Sequence, residues 1–219
     1  MKILSIDTAS NVCGVSILDN TNLIYNLDTN TGRTHSENLM PMINNAFNKT
    51  NLQLKDMDLI VCDIGPGSFT GIRIGVATTK AFQDSLSIPC VGISSLEALA
   101  YNVKNNLNEK DVVCSIIDCK NDNCYFALFE MKNGSLETLI EPQAESVDSA
   151  LAIIKSYIED TLENPSITFV GDGSEVYNDK IKAVFKDAKF ADSKDNVLNS
   201  YALALAGIDI FNSGMDIKE

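Results

Sequence analysis

The chain repeats itself, and this repeat constrains its fold more than any other feature. Ile6-Asp7 is followed, six residues after the aspartate, by Cys13 and then Gly14-Val15-Ser16-Ile17-Leu18. Ile117-Asp118 is followed at the same spacing by Cys124 and then Tyr125-Phe126-Ala127-Leu128-Phe129, an offset of 111 residues. On that offset Val15 matches Phe126, Ile17 matches Leu128 and Leu18 matches Phe129. Self-similarity of this length reads as a duplicated structural unit. Each copy reads strand, polar loop, strand, with a third strand at 23–25 and at 136–140. Apolar residues then recur at helical spacing, at Leu39, Ile43 and Phe47 in one copy and at Leu151, Ile154 and Ile158 in the other. A short strand follows in each, at 59–63 and 167–170, running into Gly65-Pro66-Gly67-Ser68 and Gly171-Asp172-Gly173-Ser174. Closing helices are predicted over 68–85 and 177–185.

Two copies of βββαβα make an α/β protein with mixed sheets. The layout resembles the actin-like ATPase (ASKHA, ribonuclease H-like) fold, in which nucleotide binds between the halves. The expected division is residues 1–106 and 107–196. A final helix within 197–219, carrying Leu198, Tyr201, Leu205 and Ile208, is expected to pack back on the first part.

Composition narrows the function. Hydrophobic residues make up 45% and charged residues 21% of 219, the balance of a chain that buries a core and not of a disordered one. Thirty acids against 17 bases give a net charge of −13, a sign that repels phosphate backbones. Contact with RNA or DNA would therefore need a basic partner. No apolar run approaches the roughly 20 residues that span a bilayer. The start, Met1-Lys2-Ile3-Leu4-Ser5-Ile6-Asp7, meets an acid too early for a signal peptide, so a cytoplasmic protein with no membrane association is expected. None of the six cysteines forms a CxxC pair, and most sit in apolar runs as small hydrophobes. Cys119 and Cys124 read as lying in a polar loop. One histidine leaves a thiol nucleophile few bases to activate it.

A nucleotide site in this layout needs glycines in the two hairpin loops, so that backbone N–H groups reach phosphate oxygens. The loops read Thr8-Ala9-Ser10-Asn11-Val12 and Cys119-Lys120-Asn121-Asp122-Asn123, without a glycine. Asp7 and Asp118 could still hold a hydrated Mg²⁺ between them, or serve as turn formers. The expectation is a degenerate site near Asp7, Asn11 and Asp118, with weak or no binding of ATP–Mg by this chain alone and no other cofactor. Gly65-Pro66-Gly67-Ser68-Phe69-Thr70-Gly71 is not a P-loop, because no Gly-Lys-Ser/Thr follows. Its glycines permit a tight turn from strand to helix, and Ser68 is a good N-cap.

Along the helix that follows, Gly71, Gly75 and Thr79 recur every fourth residue. Each interior glycine costs about 1 kcal/mol against alanine, so the stripe implies close packing in compensation. That packing is either against the chain's own sheet or against a helix of a partner subunit. His35 falls at or just before a helix start, with no second histidine to complete a zinc site.

Ile6-Asp7-Thr8-Ala9, Thr34-His35-Ser36-Glu37-Asn38-Leu39-Met40-Pro41, Gly65-Pro66-Gly67-Ser68-Phe69-Thr70-Gly71-Ile72-Arg73-Ile74-Gly75 and Gly92-Ile93-Ser94-Ser95-Leu96 together resemble the TsaB (YeaZ) family. The resemblance is strong over the first hundred residues, and Ile117-Asp118 is its clearest anchor beyond them. It implies a non-catalytic subunit of the bacterial machinery that makes N6-threonylcarbamoyladenosine at position 37 of tRNA. Such a subunit is an inactive paralogue of the transferase TsaD. It forms a heterodimer with TsaD and a homodimer when alone, helps recruit the ATPase TsaE, and depends on TsaC or its relative Sua5 for the threonylcarbamoyl-adenylate. The metal-binding His-x-x-x-His of TsaD falls here on Ser95 and Leu99, and an acidic residue of its first loop falls on Asn11, so no catalytic or metal-binding residue is implied. The partner face implied is the two helices that carry His35, Leu39, Ile43, Phe69, Gly71, Ile72, Arg73, Gly75 and Thr79. The chain departs from the family at Asp118-Cys119-Lys120, where Asp-Ala-Arg is common, and at its tail, Gly214-Met215-Asp216-Ile217-Lys218-Glu219. The competing reading is an active nucleotide hydrolase or transferase of the actin-like fold, or a metal-dependent glycopeptidase.

Overall fold

The computed structural model describes residues 1–30, 34–163 and 165–214, so the departure noted in the tail at 215–219 lies outside the described residues. It divides the chain into two compact units, Met1–Ala98 joined by the segment from Leu198 onward, and Leu99–Val197.

In the first unit β1 (Lys2–Asp7), β2 (Cys13–Asp19) and β3 (Asn22–Thr29) form an antiparallel meander. After α1 (His35–Thr50), β4 (Leu59–Asp63) lies parallel to β1. After α2 (Phe69–Leu86), β5 (Cys90–Ile93) lies parallel to β4. The sheet order is β3-β2-β1-β4-β5. α3 (Ser95–Val103) carries the division between the units within it, eight residues before the boundary expected at 106. The second half of α3 is tied forward, because Asn102 Nδ2 donates to the Asp195 and Val197 carbonyls at 2.7 and 2.9 Å.

The second unit repeats the topology. It runs β6 (Val112–Asp118), β7 (Asn123–Lys132), β8 (Ser135–Ser146), α4 (Val147–Thr161), β9 (Ile167–Val170), α5 (Asp172–Val176), α6 (Asn178–Val184) and β10 (Lys189–Phe190), with sheet order β10-β9-β6-β7-β8. Both sheets therefore have a fifth strand beyond the expected βββαβα. The single closing helix expected over 177–185 is two short helices, α5 and α6, that meet at Tyr177.

The register also corrects the residue matching between the copies. Asp7 lies opposite Gly14, whereas Asp118 lies opposite Cys124, so the second hairpin loop is one residue shorter and β7 slides by one against the 111-residue offset. The tighter loop is closed by three successive non-glycine residues in the left-handed region, Lys120, Asn121 and Asp122, at φ 68, 53 and 56°. Cys124 is the second residue of β7 and fully buried, not a loop residue.

Each unit has its own core. In the first, Leu4, Ile6, Val15, Ile17 and Ile60 of the sheet meet Leu39, Met42, Ile43 and Ala46 of α1. In the second, Cys114, Ile116, Phe126, Leu128 and Phe169 meet Val147, Ala150, Leu151 and Ile154 of α4. The C-terminal helix α7 (Ser200–Asn212) packs on β1, β2 and β5 of the first sheet. Its first turn is anchored by polar atoms. Asp28 Oδ1 accepts from Ser200 N at 3.0 Å and from Ser200 Oγ at 2.7 Å, while Asn26 Oδ1 accepts from Ser16 Oγ at 2.6 Å and from Ser200 Oγ at 3.1 Å. A carboxylate at a helix N-terminus satisfies amides that have no intrahelical partner and meets the positive end of the dipole. Asp28→Ala removes that acceptor and is expected to cost about 1–3 kcal/mol of stability in urea unfolding.

Candidate functional site

The two strand-end aspartates stand in different surroundings. Asp7, in the first unit, is 1% exposed; its Oδ1 accepts from Ala9 N at 2.9 Å and its Oδ2 is buried without a partner among the described residues. The neighbouring strand brings a residue that sequence reasoning missed. β1 and β4 pair in parallel with Ile6 opposite Cys62, so Asp7 and Asp63 follow side by side. Neighbouring strands lie about 4.8 Å apart, and in-register residues share a face. Asp63 is fully buried; its Oδ1 accepts from Gly65 N at 2.7 Å and from Ser95 Oγ at 2.6 Å, and its Oδ2 also lacks a partner. Burial pushes the Asp63 carboxyl up to about 7, against the pull of the Ser95 and Gly65 hydrogen bonds. Burial and the charge of Asp63 push Asp7 well above the carboxylate range. A strand-end aspartate preceding Gly-Pro-Gly was the available signal for Asp63, and it reads as an ordinary turn residue.

Asp118, in the second unit, is held by its own loop. Its Oδ1 accepts from Lys120 N at 2.8 Å and from the Tyr177 hydroxyl at 2.5 Å, and its Oδ2 pairs with the Lys120 ammonium. Burial alone would raise this carboxyl, yet Lys120 and Tyr177 hold it below the usual range. Lys180 bridges Asp122 and Asp148 at 3.4 and 3.2 Å, fastening the same loop to α4. Asn11, the third residue of the expected degenerate site, is exposed on the loop of the first unit. No group of three or more His, Cys, Asp or Glu suited to a metal ion occurs among the described residues.

The loop after β1 turns its carbonyl oxygens toward α2. Ser68 N donates to Ala9 O at 2.6 Å, the Thr8 hydroxyl donates to Gly71 O at 2.7 Å, and His35 Nε2 meets Ser10 O at 2.7 Å. With a carbonyl as its neighbour, Nε2 carries the imidazole proton. The contact is so close that a Cβ on Gly71 would overlap the Thr8 carbonyl oxygen, and one on Gly75 would lie 2.5 Å from Thr8 Oγ1.

This decides the small-residue stripe and corrects part of the expected partner face. Gly71, Gly75 and Thr79 line the buried side of α2 and pack inside the first unit, with Thr79 5% exposed. Leu39 and Ile43 are core residues at 1% and 2%. His35 is half-buried against Ser10, and Ile72 folds over the Gly65 turn. Phe69 and Arg73 are the expected residues that reach solvent. Phe69 is 66% exposed, and the Arg73 guanidinium stacks 3.8 Å above its ring. Met40 on α1 and Ile64 in the turn after β4 are near half-exposed as well. Ser68 caps α2 as expected, accepting from Gly71 N at 3.2 Å. Thr34 and Glu37 form a capping box at the start of α1.

Comparison with known proteins sets these features in a family. The family model of TsaD, tRNA N6-adenosine threonylcarbamoyltransferase, matches residues 27–207. The chain is 30% identical over 184 residues to the tRNA threonylcarbamoyladenosine biosynthesis protein TsaB of Bacillus subtilis, covering 84% of this chain and 76% of that one. The chain belongs to the TsaB (YeaZ) family. Among solved structures, YeaZ from Pseudomonas aeruginosa superposes with a TM-score of 0.78 at 20% identity, over 97% of this chain and 93% of that one. A ROK hexokinase from Thermus thermophilus superposes with a TM-score of 0.61 at 10% identity, over 98% and 100% of the two chains, a likeness of fold alone.

In this TsaB-family chain, Ser95 and Leu99, the positions expected to match metal ligands of TsaD, have structural work. Ser95 donates to Asp63, and Leu99 is buried beside Gly171. No helix among the described residues is long and apolar enough to cross a membrane. The second unit holds a hollow of about 190 Å³ lined by Val103, Leu107, Thr168, Phe190 and Asp192, below the roughly 300 Å³ at which ligand pockets begin.

The tight seat of α2 gives a prediction. Gly75→Leu forces four heavy atoms into the contact with Thr8 and is expected to cost about 3 kcal/mol or more in urea unfolding. Phe69→Ala, on the exposed side of the same helix, is expected to stay within about 0.5 kcal/mol of the parent.

Proposed function

We propose that this chain is a non-catalytic subunit in the biosynthesis of N6-threonylcarbamoyladenosine in tRNA, which docks the transferase TsaD through the outer side of α1 and α2. The observation that carries the reading is the pairing of family membership with an outward Phe69–Arg73 stack on a helix whose other side is locked to its own sheet. An exposed aromatic ring under a guanidinium combines apolar area with a donor fork, the residue types enriched where protein interfaces carry most of their binding energy. Met40 adds apolar surface on α1.

The strand-end carboxylates support a non-catalytic role. Asp118 spends both oxygens on Lys120 and Tyr177, and Asp7 is enclosed beside a second carboxylate. Without glycine in either hairpin loop, the chain alone binds ATP–Mg weakly or not at all. Calorimetry with ATP–Mg is expected to show no heat beyond dilution, and saturable binding to the isolated chain would favour the nucleotide-hydrolase reading. The net charge of −13 supports a division of labour in which more basic partners touch the tRNA. On this reading the chain is cytoplasmic, pairs with itself when TsaD is absent, helps recruit TsaE, and works downstream of TsaC or Sua5.

Reconstitution with TsaC, TsaD, TsaE and tRNA tests the role. Modification is expected to require the chain, and Phe69→Ala with Arg73→Glu is expected to lower it at least tenfold while the fold persists. Full modification without the chain would overturn the reading.

A further inference from the structure

We propose that Asp7 and Asp63 share one proton between their two unpartnered Oδ2 atoms, so that a buried carboxyl–carboxylate pair latches the loop after β1 to the turn before α2. Ile6 lies opposite Cys62 in a parallel pair, so the next residues, Asp7 and Asp63, are neighbours on one face at the carboxyl ends of two central strands. Both are enclosed, at 1% and 0% exposure. Two ionised carboxylates so placed would repel each other in a medium that screens poorly, with no water to solvate either.

The hydrogen bonds are deficient in a complementary way. On each residue Oδ1 is engaged, by Ala9 N on Asp7 and by Gly65 N and Ser95 Oγ on Asp63. On each residue Oδ2 is buried and unpartnered. One proton on one Oδ2 supplies the donor that the other lacks, and both deficits close together. A carboxylic acid is a donor and a carboxylate an acceptor, and only the singly protonated pair has one of each.

Among the described residues, the groups whose charge acts on the pair include no base. They are Asp28 from β3 and the thiols Cys13 from β2 and Cys62 from β4, while α3 contributes the Ser95 hydroxyl and α2 the glycines that close over Thr8. No cation among the described residues therefore offsets a second negative charge, and the proton does. Holding the pair together holds the two segments it anchors. Ala9 and Gly65 lie at either side of the Ser68 N to Ala9 O hydrogen bond on which the first turn of α2 sits.

The sign of the pH dependence follows. Both carboxyls are raised in the folded chain, Asp63 to about 7 and Asp7 beyond the carboxylate range, while the unfolded chain releases its protons near 4. The stabilisation from the shared proton is complete below about 4 and declines as pH rises above it, because there the unfolded chain has given up a proton that the folded pair keeps.

Carbon-13 NMR of the Asp7 and Asp63 side-chain carboxyl carbons in the wild-type chain, titrated from pH 5 to 9, reads the proton directly and needs no variant. At pH 7.5 at least one of the two is expected to remain off its ionised plateau; both carbons on that plateau by pH 6 would overturn the proposal. Asp7→Asn supplies a second readout, since its amide Nδ2–H takes the place of the shared proton. The wild-type folding constant is expected to fall about tenfold more per pH unit than that of D7N between pH 5 and 7, one bound proton being worth tenfold per unit. Equal pH slopes for the two would overturn the proposal as well.

Discussion

The first unit depends on how closely the loop after β1 approaches α2. Thr8 sits where no side chain on Gly71 or Gly75 could fit, and its hydroxyl donates to the Gly71 carbonyl inside that contact. Glycine in the interior of a helix sacrifices backbone entropy, and here the return is a helix seated directly on the end of the central strand. Much else follows from that seat. Ser68 caps the helix and donates its own N–H to Ala9, His35 closes over Ser10, and Phe69 and Arg73 are left on the outer side. The small-residue stripe thus fixes the position of an exposed surface without being part of it.

The two units share a topology and use their strand ends differently. In the second, Asp118 is neutralised by a lysine and a tyrosine hydroxyl within a loop whose left-handed turn is made by Lys120, Asn121 and Asp122 in place of glycine. In the first, Asp7 meets another carboxylate, Asp63. Neither arrangement presents a row of backbone N–H groups to a phosphate, since the first loop turns carbonyls toward α2 and the second is filled by its own side chains. The same fold is found in a ROK hexokinase, and fold alone does not assign a function.

Much of the architecture was legible in the sequence. The repeated Ile-Asp before a polar loop located both hairpins, and the spacings of Leu39, Ile43, Leu151 and Ile154 located α1 and α4. The fifth strands were not legible, because Cys90–Ile93 and Lys189–Phe190 are too short to show a period. The one-residue slip of β7 was hidden because both hairpins carry a cysteine six residues after the aspartate, a coincidence that only pairing resolves. The candidate site was less legible still. A helix reports its buried face through periodicity, so Leu39, Ile43, Gly71, Gly75 and Thr79 stood out while the exposed Met40 did not. The Asp7–Asp63 pair arises from the adjacency of β1 and β4, which lie more than fifty residues apart in sequence.

The central claim is that an outward surface of α1 and α2 serves docking to a second protein. Light scattering of the purified chain, alone and mixed with TsaD of the same organism, measures it most directly. A homodimer that gives way to a heteromeric species is expected, with Phe69→Ala and Arg73→Glu together weakening that exchange. A monomer whose mass is unchanged by TsaD at any ratio would contradict it.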